Sequence, residues 1–417
     1  MHRSRSRFLA ILLLIGIGAA ACGSATVGDA GPAAPGQPLE GGSTDHVACT
    51  VPAEDGPDGQ LAEQVASSPA EDVPSALFDR RNALFPEPLV DLDRIISGGP
   101  PPDGIRPIDE PHFVPVAQAS HVAACEPVVV LELDGQARAY PIHVMTRHEI
   151  VNDAFGEVPV AVTYCPLCSS AIAYDRRVDG RVLDFGTSGS LYNSALVMYD
   201  RQTESLWSHF NGQAVVGHLT GAELEVFPMA TVSFSSFAEA HPEGLVLTRN
   251  TGVDLPYGSN PYVGYDTVGS QPFLFDGVAP DDFAAKERFI GVELDGEAVA
   301  LRHQPVMAEG VMPFTVGEQD LVAWILPGTP SPLVSDTVSD GPDIGASGVF
   351  VPEVDGQQLT FTRSTEGFVD EQTGTAWDVL GRGVSGELSG RQLEAIAHVD
   401  TFWFAWTAFH PETAVVG

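Results

Sequence analysis

Short apolar runs separated by glycine and polar turns dominate the chain after about residue 85, and they predict a mainly β fold. The runs are rich in Val, Ile, Tyr, Phe and Trp, residues that favour strands. Alternating apolar and polar positions flank Asp134-Gly135 and Asp295-Gly296, a pattern typical of hairpins with a tight turn. Short helices are predicted around Ser235 to Ala240 and Thr401 to Phe409. The expected class is therefore α+β, mainly β.

This pattern occurs twice along the chain. The segment from Glu132 to Ala137 recurs as Glu293 to Ala298, and the same correspondence continues to Trp207 with Trp377. We interpret this as an internal duplication: repeat 1 at 85–250, a connector at 251–287 and repeat 2 at 288–417. Two copies are too few for a solenoid, so we expect two similar β-rich units with short helices, either packed together or fused. Trp207 and Trp377, and likewise His241 and His410, are assigned to folding because both copies keep them.

The N-terminus predicts export. Arginines at 3, 5 and 7 precede an apolar run from Phe8 to Ile17, small residues and then Cys22, and the run is too short to span a bilayer comfortably. This layout resembles a lipobox, although Ala19 stands where leucine is usual. We expect residues 1–22 to be a signal peptide and a lipidated Cys22 to anchor the protein to the outer face of the cell membrane. Ordinary secretion is the alternative.

Residues 23–84 are rich in Gly, Pro, Ala, Ser and acidic residues, so they can bury little apolar surface against the entropy cost of ordering. We predict a flexible tether; the alternative is an arm packed on the domain, which a disulfide from Cys49 would favour. The chain has 20 basic and 56 acidic residues, a net charge of −36. This balance argues against nucleic-acid binding and against adhesion to anionic lipid through a basic patch. We interpret the excess of acidic residues as a feature that keeps the protein soluble.

Cys165-Pro166-Leu167-Cys168 has the spacing of a redox pair or of half a metal site. Thiolates with imidazole bind zinc, copper or iron. Our leading hypothesis is an extracytoplasmic protein with a transition-metal site, capable of redox or hydrolytic chemistry if a coordination position is open. The proposed ligands are Cys165, Cys168, His148 and His143. A thiol–disulfide redox centre and a structural disulfide are the alternatives for the two thiols, while Cys49 and Cys125 can pair with each other.

Repeat 2 lacks these side chains, since Leu326 and Thr329 stand opposite the two cysteines. Repeat 1 is therefore interpreted as the active half. Glu149, which is also absent from repeat 2, is a candidate general base. Its spacing from Thr146 is that of a capping box at a helix start, and we favour that structural role. A zinc-protease motif fails because Asn152 occupies the position of its second histidine.

Repeat 1 also has a longer segment from Gly186 to Ser194, interpreted as a loop. Its candidate pocket residues are Ser188, Tyr192 and Asn193, with an ordinary glycine-rich turn as the alternative. A third, non-catalytic hypothesis is a binding module that presents this loop to a ligand or an envelope partner. For Tyr257 to Tyr262 and Tyr265 in the connector, we favour surface packing over a pocket wall.

These motifs resemble an uncharacterised family of bacterial and archaeal proteins, the domain-of-unknown-function family 3179. The resemblance is carried by Thr163 to Cys168, Phe185 to Ser194, Val197 to Thr203 and His148 to Asp153, and it extends from roughly Phe85 to the C-terminus. The resemblance implies that this chain shares the fold of the family, which has no established activity.

Overall fold

The structure is a computed structural model that describes residues 46–50, 52 and 55–417. Each half of this described chain contains a hairpin with a tight Asp-Gly turn. Leu133 pairs with Gln136 across the first turn, and Leu294 pairs with Glu297 across the second. Both central residues of each turn have positive φ, as the tight primed hairpin turn requires. The two hairpins predicted from Asp-Gly are confirmed.

The described residues form four short α-helices, two 3-10 helices at Leu92–Arg94 and Val116–Gln118, and many short strands. The helices are α1 Ile142–His148, α2 Phe234–Ala240, α3 His303–Glu309 and α4 Trp403–Phe409. The strands of the first half are β1 His46–Ala48, β2 Gln60–Leu61, β3 Ile96–Ser97, β4 His112–Pro115, β5 Pro127–Leu133, β6 Gln136–Pro141, β7 Ile150–Phe155, β8 Val158–Cys165, β9 Ser170–Asp175, β10 Arg177–Val178, β11 Arg181–Val182, β12 Phe185–Tyr192, β13 Ala195–Asp200, β14 Leu206–Ser208, β15 Ala214–Val216, β16 Val226–Phe227, β17 Met229–Ser233 and β18 Leu245–Leu247. Those of the second half are β19 Arg288–Leu294, β20 Glu297–Arg302, β21 Val311–Val316, β22 Gln319–Leu326, β23 Asp340–Pro342, β24 Ala346–Phe350, β25 Glu353–Val354, β26 Gln357–Gln358, β27 Phe361–Arg363, β28 Phe368–Asp370, β29 Ala376–Trp377, β30 Gly383–Ser385, β31 Val399–Phe402 and β32 Ala414–Val416.

The strands pair mainly with their sequence neighbours, in antiparallel sheets. In the first half the larger sheets have the orders β17-β5-β6-β18-β4-β2, β16-β9-β8-β7 and β15-β14-β13-β12-β3. In the second half they are β31-β19-β20-β32, β21-β22-β24 and β27-β28-β29-β30. The class predicted from the sequence, α+β and mainly β, is confirmed.

The two halves run through similar elements in the same order. In each half, an Asp-Gly hairpin is followed by a seven-residue helix and a second hairpin. Each half ends with a helix before a strand that pairs in parallel with the second strand of the Asp-Gly hairpin. The short helices expected near both repeat ends are α2 and α4. The order matches the predicted correspondence, while the duplication itself stays a prediction.

A buried aspartate organises the same turn in both halves. Asp200 accepts a hydrogen bond from the indole of Trp207 at 2.9 Å and from the backbone amide of Thr203 at 2.6 Å. Asp370 accepts from Trp377 at 3.0 Å and from the amide of Thr373 at 2.6 Å. These tryptophans hold a strand connection, which agrees with the folding role assigned to them.

The apolar cores draw on both halves of the described chain. One core packs Cys165 and Cys168 of the first half with Phe402 and Phe404 of the second. Another packs Val128 and the strands around it with Trp324 and Phe350. Each large apolar side chain buried at such a contact contributes about 1.5–3 kcal/mol. The two β-rich halves are therefore fused through common cores.

The described part of the 23–84 segment packs on this body. Gln60 and Leu61 pair with β4, and the side chain of Ala76 is fully buried beside Val197 and Leu206. A disulfide joins Cys49 to Cys125 with their Cα atoms 6.0 Å apart. The signal segment and Cys22 lie outside the described residues. Within the residues described, no helix combines the length and the apolar character needed to cross a membrane.

Candidate functional site

The Cys-Pro-Leu-Cys segment forms the turn that joins β8 to β9. Cys165 ends β8 and pairs with Ser170, the first residue of β9. The amide of Cys168 donates to the carbonyl oxygen of Cys165 at 3.2 Å, as in a β-turn. Such a turn holds the outer Cα atoms within about 7 Å, close to the spacing that a disulfide requires. The local hydrogen bond therefore holds the two thiols next to each other.

Both thiols are free and buried, with Cys165 2% exposed and Cys168 fully enclosed. Burial opposes ionisation of Cys165, but hydrogen bonds from the Cys168 thiol and from the amides of Leu196, Cys168 and Leu167 outweigh it, so the pKa of Cys165 lies below its ordinary value. Burial and the neighbouring Cys165 raise the pKa of Cys168 well above its ordinary value. The turn thus distinguishes one thiol that ionises readily from one that keeps its proton.

A chain of hydroxyl and imidazole groups leads away from Cys168. Ser170 hydrogen-bonds the Cys168 sulfur, which partly offsets the rise in the pKa of that thiol, and its Oγ lies 3.1 Å from Nε2 of His209. Thr163 donates its hydroxyl to the carbonyl oxygen of Ile172, and its Oγ1 lies 3.0 Å from Nδ1 of His209. Burial lowers the pKa of His209 to about 3, so its ring is uncharged near neutral pH. The Cys168 thiol itself donates to the carbonyl oxygen of Ser194 at 3.8 Å.

Glu149 lies beside this turn. Its carbonyl oxygen accepts from the amide of Tyr164 at 2.8 Å, which places it across from the end of β8. It caps the C-terminus of α1 with a positive φ of 62°, while Thr146 lies inside the helix and donates to the carbonyl oxygen of Ile142. The capping box expected at a helix start is therefore wrong. Burial, together with the charge of Cys165, raises the pKa of Glu149 well above its ordinary range.

A cavity of about 720 Å³ adjoins the turn. Leu167 and Leu196, whose amides bind the Cys165 sulfur, line it, and so does Glu149. Strand β12 contributes Thr187, Gly189, Ser190 and Leu191 to the wall of the cavity. A Cβ on Gly189, which has φ 72°, would overlap the carbonyl oxygen of Pro100, so this close approach requires glycine. The volume is that of a small-molecule site.

The connector supplies the remaining wall. Tyr262 and Tyr265 line the cavity, and the Tyr265 hydroxyl donates to the carbonyl oxygen of Leu167 at 3.0 Å. Lys286 also lines the cavity, and its ammonium nitrogen lies 3.4 Å from the centroid of the Tyr265 ring. The surface packing favoured for these tyrosines is wrong, since they form the pocket wall that was the other possibility.

The two histidines of the predicted metal site bind other partners. His148 contacts the carbonyl oxygen of Arg106 at 2.6 Å through Nδ1 and the hydroxyl of Tyr257 at 2.7 Å through Nε2. His143 contacts Glu126 through Nδ1 and Arg249 through Nε2. Within residues 46–50, 52 and 55–417, no group of three or more His, Cys, Asp and Glu side chains is arranged to hold a metal ion. The thiols are thus brought together without the histidines, and the four-ligand site stays a prediction.

The predicted pocket residues lie in β12 and the turn after it, and the 186–194 segment is mostly a strand with a bulge rather than a loop. Ser188 donates to the carbonyl oxygen of Val197, and Asn193 accepts from Arg94, both at 2.5 Å. Tyr192 packs edge-on against Phe409. Their neighbours Thr187, Gly189, Ser190 and Leu191 face the cavity instead.

Sequence reasoning missed His209 and Lys286. The signal for Lys286 was present, since it is the one lysine of the chain. His209 carries no sequence signal because its partners Thr163 and Ser170 lie some forty residues away and meet it only after the strands pair.

The arrangement provides two adjacent thiols of different acidity, a carboxyl group of raised pKa and a cavity, which together permit thiol chemistry on a small molecule. No curated protein and no solved structure matches the chain. The family described as Protein of unknown function (DUF3179) matches residues 102–413, which include both thiols, Glu149, His209 and Lys286. The chain therefore belongs to the DUF3179 family.

Proposed function

We propose that Cys165 and Cys168 form a thiol–disulfide redox centre that exchanges with small disulfides and thiols in the adjoining cavity. The observation that carries this proposal is the pairing of a thiol of lowered pKa with a hydrogen-bonded second thiol across one turn. Thiolates are the nucleophiles in disulfide exchange, and a second thiol within reach resolves the intermediate.

The exchange proceeds in two balanced steps. The Cys165 thiolate attacks one sulfur of a substrate disulfide, whose S–S bond breaks and releases a thiolate that takes up a proton. Cys168 then loses its proton and attacks the Cys165 sulfur, which releases the second thiol and leaves a Cys165–Cys168 disulfide. The substrate gains two electrons and the protein loses two; a separate dithiol reverses the change.

Burial favours a small substrate over a protein one. Both sulfurs are enclosed, and the cavity is lined by Leu167 and Leu196, whose amides bind the Cys165 sulfur. Glu149 lines the same cavity, and its raised pKa favours its protonated form. It is placed to give a proton to the leaving thiolate, so its role is that of an acid rather than the base first considered.

Exposure of the reduced protein to the neutral probe hydroxyethyl disulfide tests the proposal. Peptide mass spectrometry after alkylation should find a Cys165–Cys168 disulfide in the native chain and a stable mixed disulfide on Cys165 in Cys168→Ser. Cys165→Ser should form neither product. The Cys49–Cys125 disulfide serves as an internal control, since it should be unchanged throughout. Native protein whose two thiols stay reduced under conditions that oxidise free cysteine overturns the proposal.

Metal binding by the two thiols is the second candidate, favoured by their adjacency alone. Zinc, copper or iron held there would need ligands beyond Cys165 and Cys168. Elemental analysis of the purified protein and of Cys165→Ser tests it. Equal metal content in both proteins, or no metal in the native protein, removes this candidate. A stoichiometric ion that is lost on substitution would support a metal site instead of the redox centre.

We propose further that the protein is exported and anchored through a lipid on Cys22. The arginines and apolar run before Cys22 support this, and so does the Cys49–Cys125 pairing, because disulfides persist mainly in oxidising compartments. Fatty-acid labelling of the native chain, with Cys22→Ser as the control, is the test. Equal labelling of both, or of neither, contradicts the anchor.

A further inference from the structure

Lys286 is a buried cation in the wall of the cavity beside the thiols. Its side chain is 1% exposed, and its ammonium donates to the carbonyl oxygen of Tyr265 at 2.8 Å and to the hydroxyl of Ser270 at 2.9 Å. An ammonium carries three donors, so one remains for another acceptor.

No carboxylate of the described residues forms an ion pair with this ammonium. Asp266 influences it through space, but that carboxylate accepts from Arg288 and from Ser331. Burial of a charge without a counter-ion is costly, and burial lowers the pKa of Lys286 to about 8. In a chain with a net charge of −36, this cation remains without an acidic partner among the residues described.

An acidic side chain in the cavity wall could compete with a bound anion for the Lys286 ammonium. Glu149 is the one carboxylic acid among the described residues that line the cavity, and burial raises its pKa well above its ordinary value, which favours the uncharged form. Tyr262, Tyr265 and Phe273 add aromatic surface that can pack against an apolar chain. The cavity therefore combines a single positive charge with a mainly apolar and aromatic surround.

We infer that the cavity takes an anionic molecule, with a carboxylate bound by Lys286 and an apolar body against the tyrosines. The inference rests on the proposed redox function for one point only, that the bound molecule is a disulfide or thiol. Its sulfur would lie toward Leu167 and Leu196 and so toward Cys165. The substrate class is therefore a small carboxylate-bearing disulfide.

Direct binding tests the anion site without thiol chemistry. Calorimetric titration of the reduced full-length chain uses suberate, a dicarboxylate that contains no sulfur. Lys286→Met should weaken suberate binding at least about tenfold, because hydrogen bonds to charged groups contribute that much. Octanediol, which has the same chain length and no charge, should bind both proteins equally. Arg391→Met removes the same charge from an exposed ion pair and should leave suberate binding unchanged. Suberate that fails to bind the native chain, or binds Lys286→Met equally well, overturns the inference.

Kinetics then separates this inference from the redox proposal. Dithiodipropionate, an anionic disulfide of the same chain length as suberate, should oxidise Lys286→Met at least about tenfold more slowly than the native chain, while hydroxyethyl disulfide should oxidise both equally. Equal rates with dithiodipropionate refute the anion site and leave the redox centre standing. Suberate binding that depends on Lys286, without oxidation by either disulfide, refutes the redox centre and supports the anion site. Thermal unfolding of each variant shows whether it is folded.

Discussion

The hydroxyl of Tyr265 donates a 3.0 Å hydrogen bond to the carbonyl oxygen of Leu167, the residue immediately before Cys168. This contact joins the connector between the two halves to the turn that carries both thiols. It also brings Lys286, which lies against the Tyr265 ring, to the same cavity. The cavity is thus lined by residues of the first half and of the connector, while Thr401 of the second half donates to the carbonyl oxygen of Cys168 at 2.9 Å.

The acidity of Cys165 should depend on its partner thiol. Cys168→Ala removes the sulfhydryl that donates to the Cys165 thiolate, so the pKa of Cys165 should rise. The rate of Cys165 alkylation by a small neutral reagent should then reach its midpoint at a higher pH than in the native protein. Peptide mapping assigns the label to Cys165. An unchanged midpoint would mean that the backbone amides alone hold the thiolate.

Ser170→Ala should slow the second step of exchange. Ser170 lowers the pKa of Cys168 through its hydrogen bond, so its loss should leave that thiol harder to ionise. A mixed disulfide on Cys165 should therefore persist about tenfold longer, the effect of losing roughly 1.4 kcal/mol. Ser188→Ala is the matched control because its hydroxyl bonds to Val197 instead. Equal lifetimes in both variants would contradict the role of Ser170.

Glu149→Gln should change how stability depends on pH. The pKa of Glu149 is raised in the folded protein above its ordinary value of 4.5, so the folded state holds a proton that the unfolded state releases. Native stability should be unaffected by this group below about pH 4.5 and should fall relative to the glutamine variant as pH rises through the folded pKa. The slope for one proton is at most about 1.4 kcal/mol per pH unit. Urea unfolding from about pH 5 to about pH 8 measures the difference, and parallel curves would contradict the shift.

Removal of the Cys49–Cys125 disulfide should destabilise the protein without disabling the thiols. The bond spans 76 residues of sequence, and a loop of this size predicts a loss of about 2–5 kcal/mol in the double Cys49→Ser, Cys125→Ser variant. Urea unfolding gives the free energy, and Cys165 alkylation should keep its native pH profile. A double variant as stable as the native protein would show that the N-terminal segment does not need the disulfide to stay packed on the domain.

Local sequence signals were sufficient for several elements. Asp134-Gly135 and Asp295-Gly296 predicted their hairpins because a two-residue turn with positive φ depends on those residues alone. The strand-rich class and the helices near both repeat ends followed from patterns that lie within single elements. Trp207 and Trp377 were assigned to folding because both copies keep them, and each bonds an aspartate only seven residues away.

Contacts between distant segments decided the rest. Sequence alone placed His143 and His148 near the thiols because they are close along the chain, yet Glu126, Arg249, Arg106 and Tyr257 bind their rings. Thr146 and Glu149 matched a helix start, but the helix had already begun at Ile142. The amino-acid sequence by itself determined the two adjacent thiols, the hairpins and the β-rich class, because these follow from neighbouring residues. Only the tertiary structure decided that Glu149, His209 and the connector's Tyr265 and Lys286 surround those thiols, because strand pairing and core packing join residues whose separation along the chain carries no local signal.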